Sequence, residues 1–216
     1  MGKKRIKNLG KKRRIKRKVK DIFSKILITL CVIISIYALF NITKDIKNIK
    51  KVENITISES ESDFIKEIEL GAKDNYKKYG ILPSITVAQA ILESGWGQSG
   101  LSKSSKNLFG IKADESWDGK IIEVSTVENY NDKIKAKFRE YDNYNESIYD
   151  HGKFLSENKR YEESGLFKSK DYKKQAQALE DAGYSTKKDE KGNAIYAEML
   201  VNIIRKYNLH KLDYRL

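Results

Sequence analysis

A carboxylate set into an apolar helical run restricts this chain more than any other feature. Ile85-Thr86-Val87-Ala88-Gln89-Ala90-Ile91-Leu92 leads directly into Glu93-Ser94-Gly95-Trp96-Gly97. Taking such a group into a core with no Lys, Arg or His beside it favours its neutral form and costs folding energy. Pro83 is placed to start the helix, and two glycines after Glu93 are placed to stop it. Trp96 follows one turn later as an aromatic wall. Glu93 therefore reads in two ways. It is a proton donor at a helix end, a candidate general acid, or it is a structural glutamate satisfied by backbone or solvent.

Charge divides the rest of the chain. The formal net charge is +13, and residues 1–25 hold thirteen Lys and Arg against the single acid Asp21, so the remainder is nearly neutral. Seventeen uncharged residues follow, Ile26 to Ile42, at the short end of what spans a bilayer. Dense cations on the N-terminal side predict a single-pass signal-anchor helix over 26–42, with a cytoplasmic N-terminus and everything beyond Ile42 exported. A cleaved signal peptide fits less well, because the run is long and no small-x-small site follows it. The basic block at 1–25 is explained by topology and contact with anionic lipid, and no nucleic-acid partner is implied. Cys31 is the only cysteine, so one chain can form neither a disulfide nor a cysteine metal site.

Residues 43–62 are polar and read as a stalk, and a globular domain is expected over 63–212. Phe64, Ile65, Ile68 and Ala72 mark a helix ending near Tyr79-Gly80, and the Glu93 helix comes next. After the turn signal Trp117-Asp118-Gly119, Ile122, Val124, Thr126, Glu128 and Tyr130 alternate on one face of a strand. A second alternating run, Ile134, Ala136 and Phe138, completes a hairpin. Helical spacing resumes over 147–158, 172–182 and 194–207, with Gly183 placed as a cap. The fold class is mainly α (α+β), a helical domain with a small β-hairpin lobe preceded by one transmembrane helix.

Four stretches carry a family resemblance: Glu93-Ser94-Gly95-Trp96-Gly97, Asn107-Leu108-Phe109-Gly110-Ile111-Lys112, Lys137-Phe138-Arg139-Glu140-Tyr141 and Ala182-Gly183-Tyr184-Ser185-Thr186. In this order, from about Asp63 to Leu209, they resemble the bacterial endo-β-N-acetylglucosaminidases of glycoside hydrolase family 73. The resemblance implies a lysozyme-like domain with a β lobe beside a long cleft, acting on the glycan strands of peptidoglycan. It implies that Glu93 is the general acid and that a second carboxylate of the β lobe is Glu128, with Glu123 ranked below it on the opposite face. It matches Asp150 to a further acid, although Asp150 also reads as a helix-surface residue. Trp96, Phe109, Tyr130 and Tyr184 would offer faces to sugar rings, and Asn107 would hydrogen-bond an acetamido group; packing in the core is the other reading of Phe109 and Tyr184.

Glycoside hydrolysis needs a protonated carboxyl at the leaving oxygen and a second group to activate water or form an intermediate. Inversion through water and participation of the substrate's own acetamido group both stay open. His151 and His210 lack acidic neighbours that would suggest a metal, and no cofactor is implied. The competing readings are a muramidase or lytic transglycosylase on the same fold, and a non-catalytic glycan-binding envelope scaffold.

Overall fold

A computed structural model describes residues 57–128 and 132–214; the side chains of 126–128 and 132–134 are outside that description. The basic segment 1–25, the apolar span 26–42, most of the 43–62 stretch and Tyr130 also lie outside the described residues. Among the described residues, no helix is long and apolar enough to cross a membrane.

Helix α1, Glu59–Tyr79, starts at a capping box. The Ser58 hydroxyl accepts from the Glu61 amide at 3.2 Å, and the Glu61 carboxylate accepts from the Ser58 amide at 2.9 Å. The helix thus begins before Asp63, inside the stretch read as stalk. The Ser58-Glu59-Ser60-Glu61 run is polar because it caps a helix and faces solvent.

Helix α2, Pro83–Ser94, is buried along nearly its whole length, and α1 packs against it. A short α3, Gly100–Ser105, precedes the hairpin of β1, Ile121–Glu128, and β2, Asp132–Arg139. The strands are antiparallel, with Ile122 opposite Phe138, Val124 opposite Ala136 and Thr126 opposite Ile134. Then come α4, Tyr144–Glu157, α5, Lys159–Glu163, a 3-10 turn at Leu166–Lys168, α6, Tyr172–Asp181, α7, Tyr196–Lys206, and a last 3-10 turn at Leu209–Tyr214. The three late helices form where helical spacing places them. The short α3, α5 and both 3-10 turns were not anticipated, since pieces of one or two turns display no period.

Around α2 the core collects Ile68, Ile85, Leu108, Ile148, Leu155, Leu179, Leu200 and Ile204, all fully buried. Helices α1 and α4 approach so closely that a Cβ on Gly152 would lie 1.9 Å from Asn75 Oδ1. The described domain is mainly helical with one small two-stranded sheet.

Candidate active site

Glu93 stands one residue before the end of α2, and the backbone beyond it turns sharply away. Gly95, Trp96 and Gly97 all take left-handed backbone, with φ of 57°, 62° and 70°. Ser94 ties this turn: its buried hydroxyl donates to the Ala90 carbonyl at 2.5 Å and accepts from the Gly97 amide at 2.7 Å. A Cβ at Gly97 would meet Phe64 and the Tyr144 hydroxyl, both at 2.9 Å. Left-handed backbone costs a residue with a Cβ about 1–2 kcal/mol, and Trp96 offsets this by packing edge-on against Tyr207 at 4.8 Å and Phe64 at 5.9 Å. Trp96 is therefore held between α1 and α7, and it lines a hollow of about 600 Å³ with Ser58, Ser60, Glu61, Gly95 and Gln98.

The half-buried Glu93 is bound through one oxygen. Tyr196 Oη, at the start of α7, donates to Glu93 Oε1 at 2.9 Å and accepts from Gln89 Nε2 at 3.1 Å. Gln89 and Tyr196 are both completely buried. Burial pushes the Tyr196 phenol far above its ordinary range, and the nearby Tyr184 and Glu93 charges add to this, so it stays a neutral donor. Tyr184 stacks on Tyr196 at 5.3 Å and 24°, and burial, then the Glu93 charge, raises it well above the usual tyrosine value.

Local chemistry places both tyrosines. After α6, Gly183 at φ 69° donates to the Glu180 carbonyl and Tyr184 donates to the Leu179 carbonyl, which points Tyr184 back over the core. Glu180 then accepts from the Ala197 amide at 2.9 Å, tying the first turn of α7, with Tyr196, to α6.

Behind Tyr184 lies His151, with Nε2 3.4 Å from the Tyr184 hydroxyl. Its complete burial lowers its pKa to about 3, so it is neutral at physiological pH. Phe109 stacks on His151 at 3.8 Å and 11°. Phe109 is itself buried, so core packing, and not an open sugar platform, describes it.

Asn107 is also corrected. It is buried, its Nδ2 donates to the carbonyls of Ile111 and Arg139 at 2.9 and 2.8 Å, and its Oδ1 accepts from the Ile111 amide at 3.1 Å. Both of its N–H donors are used inside the domain, and the amide is buried. The residue fastens the root of the hairpin to the helical body.

Asp150 is not a surface residue. It receives two hydrogen bonds from Arg139 Nη1, at 3.0 and 2.9 Å, and one from the Tyr141 hydroxyl at 2.7 Å, and it is buried. Trp117 covers the Arg139 guanidinium at 4.5 Å. This cluster edges a groove of about 550 Å³ beside α1 and α4, lined by Leu70, Asn75, Trp117 and Tyr149 among others; of the acids named from the resemblance, Asp150 lines it and Glu93 does not.

The register pairs Glu128 with Asp132 at the end of the hairpin strands. Glu123 is exposed, 3.7 Å from Lys135. Gln89 and Tyr196 were missed by the sequence reading. Gln89 had a signal, a polar side chain one turn before Glu93 in an apolar run, whereas Tyr196 is 103 residues from Glu93 and had none.

Residues 70–209 match the glucosaminidase family model described as mannosyl-glycoprotein endo-β-N-acetylglucosaminidase. The chain is 37% identical over 199 residues to the exo-glucosaminidase LytG of Bacillus subtilis, covering 88% of this chain and 67% of that protein. It is 37% identical over 149 residues to the peptidoglycan hydrolase FlgJ of Escherichia coli K12, covering 66% of this chain but 45% of FlgJ. The glycoside hydrolase domain of Salmonella typhimurium FlgJ superposes with a TM-score of 0.58 at 33% identity, over 73% of this chain and 94% of that domain.

Proposed function

Because this chain belongs to the mannosyl-glycoprotein endo-β-N-acetylglucosaminidase family of glycoside hydrolases, we propose that it cleaves the glycan strand of peptidoglycan within its length, with Glu93 as general acid. The observation that carries this reading is the state of that carboxyl. It is half-buried at a helix end, Oε1 is engaged by Tyr196, and Oε2 has no hydrogen bond among the described residues. A carboxyl held by one oxygen presents the other in a fixed direction to a leaving group. Tyr184 and Trp96 are the proposed sugar contacts among the described side chains, and Tyr130 is proposed with them. A non-catalytic scaffold has no use for an acid oriented by two buried side chains.

Digestion of purified sacculi should release new N-acetylglucosamine reducing ends and shorten strands early in the reaction. Muramic or anhydromuramic ends would identify a muramidase or transglycosylase instead, and disaccharide release with long residual strands would identify an exo-acting enzyme. Glu128 is the proposed second carboxylate. If it activates water, Glu128→Gln should approach the loss of Glu93→Gln and the product should be inverted. Retained configuration with a milder loss would assign the attack to the acetamido group.

The domain is proposed to work outside the cell membrane, tethered by residues 26–42. The thirteen cations of residues 1–25 before that apolar run support this orientation. A reporter fused after Leu216 should be digested by protease added to intact spheroplasts; its protection would reverse the topology.

A further inference from the structure

We propose that Gln89 is a positioning residue that commits the Tyr196 proton to Glu93 Oε1 and so places the acid's own proton on Oε2, the oxygen with no hydrogen bond among the described residues. The inference rests on Glu93 being the acid. A phenol carries one proton, and it can donate to only one neighbour. Gln89 Nε2 donates to Tyr196 Oη at 3.1 Å, so the phenol proton is directed at Glu93 Oε1, 2.9 Å away. With Oε1 already an acceptor, a proton taken up by Glu93 resides on Oε2. Without the Gln89 donor, the phenol oxygen is free to accept, and protonated Glu93 can turn its own O–H inward onto Tyr196, where it is useless to a leaving group.

Stability gives Gln89 no reason to be there. It is completely buried in the apolar helix α2, and its Oε1 has no hydrogen-bond partner among the described residues. An orphaned buried carbonyl is a cost to the folded state. A side chain that burdens the fold yet holds the hydroxyl next to the acid is expected where function sets the residue type. Among the described side chains, the titratable groups facing Glu93 are Tyr196 on α7 and Tyr184 after α6, both kept neutral by burial, with neutral His151 behind Tyr184. Within that set, the direction of the hydrogen bonds decides where the proton sits.

The test uses the full-length chain, solubilised peptidoglycan strands and two variants. Gln89→Met should leave Tm unchanged or higher, lower kcat about tenfold, as expected for losing one oriented hydrogen bond, and keep KM. Its kcat profile should also move on the alkaline limb to higher pH, because the inward-turned O–H stabilises protonated Glu93. Gln89→Leu, which likewise has no group to donate to Tyr196, should show the same loss with the fold kept. In a Tyr196→Phe background, Gln89→Met should cost nothing more. Wild-type kcat and pH profile in either Gln89 variant, or a full additional loss in the Tyr196→Phe background, overturns the proposal. The same holds for a lowered Tm with unchanged kcat. Glu93→Gln separates the two ideas: an active Glu93→Gln chain removes the acid assignment, whereas an inactive one beside silent Gln89 variants removes only the role of Gln89.

Discussion

Glu93→Gln should abolish clearing of cell-wall suspensions, a loss of about 10²–10⁴-fold, with no change in the fold. The amide keeps the shape of the carboxyl, and its oxygen can still accept from Tyr196, so the end of α2 and its contact with α7 survive. The left-handed turn beyond it depends on Ser94, Gly95 and Gly97. What disappears is a transferable proton. Turbidity assays on purified sacculi, paired with a thermal melt, separate the two properties; activity near wild type would take Glu93 out of the mechanism.

Asp150→Asn should be the most destabilising of the variants considered, by about 3–5 kcal/mol. The substitution removes the negative charge while Arg139, equally buried, keeps its positive one. Among the described residues, the anionic partner left to Arg139 is Asp114, at 3.5 Å and well exposed to solvent, which is a poor replacement for two short internal bonds. Because Arg139 ends β2 and its backbone amide donates to the Ile111 carbonyl, the hairpin root should loosen first. Differential scanning calorimetry should show Tm lower by on the order of 10 °C. Below that temperature the variant should still cut peptidoglycan. A chain that melts normally yet is inactive would mean that Asp150 takes part in the chemistry.

What could be read from the sequence was what local chemistry decides. Pro83 and Gly95 bound the Glu93 helix, Gly183 turns the chain after α6, and alternation after Trp117-Asp118-Gly119 marked the two strands of the hairpin. The errors share a cause, which is a partner distant in sequence. Asn107 read as a ligand contact because nothing near it predicts a bond to the Arg139 carbonyl, 32 residues on. Asp150 read as a surface acid because helical spacing makes no mention of Arg139 on a strand. The start of α1 was different, since the Ser58-Glu61 capping pair is a local signal and was passed over as linker polarity.

The turn at 95–97 bears on how such proteins are recognised. Of the five letters Glu-Ser-Gly-Trp-Gly, four have a part in backbone and packing: Ser94 laces the turn, Gly95 and Gly97 permit it, and Trp96 anchors it to Phe64 and Tyr207. Glu93 has no such part in the turn. A descendant that exchanged this one letter would keep its shape and its pattern score while losing the proposed acid. Pseudoenzymes of this lineage are therefore invisible to any census that counts the pentapeptide as a whole, and the first letter has to be read separately.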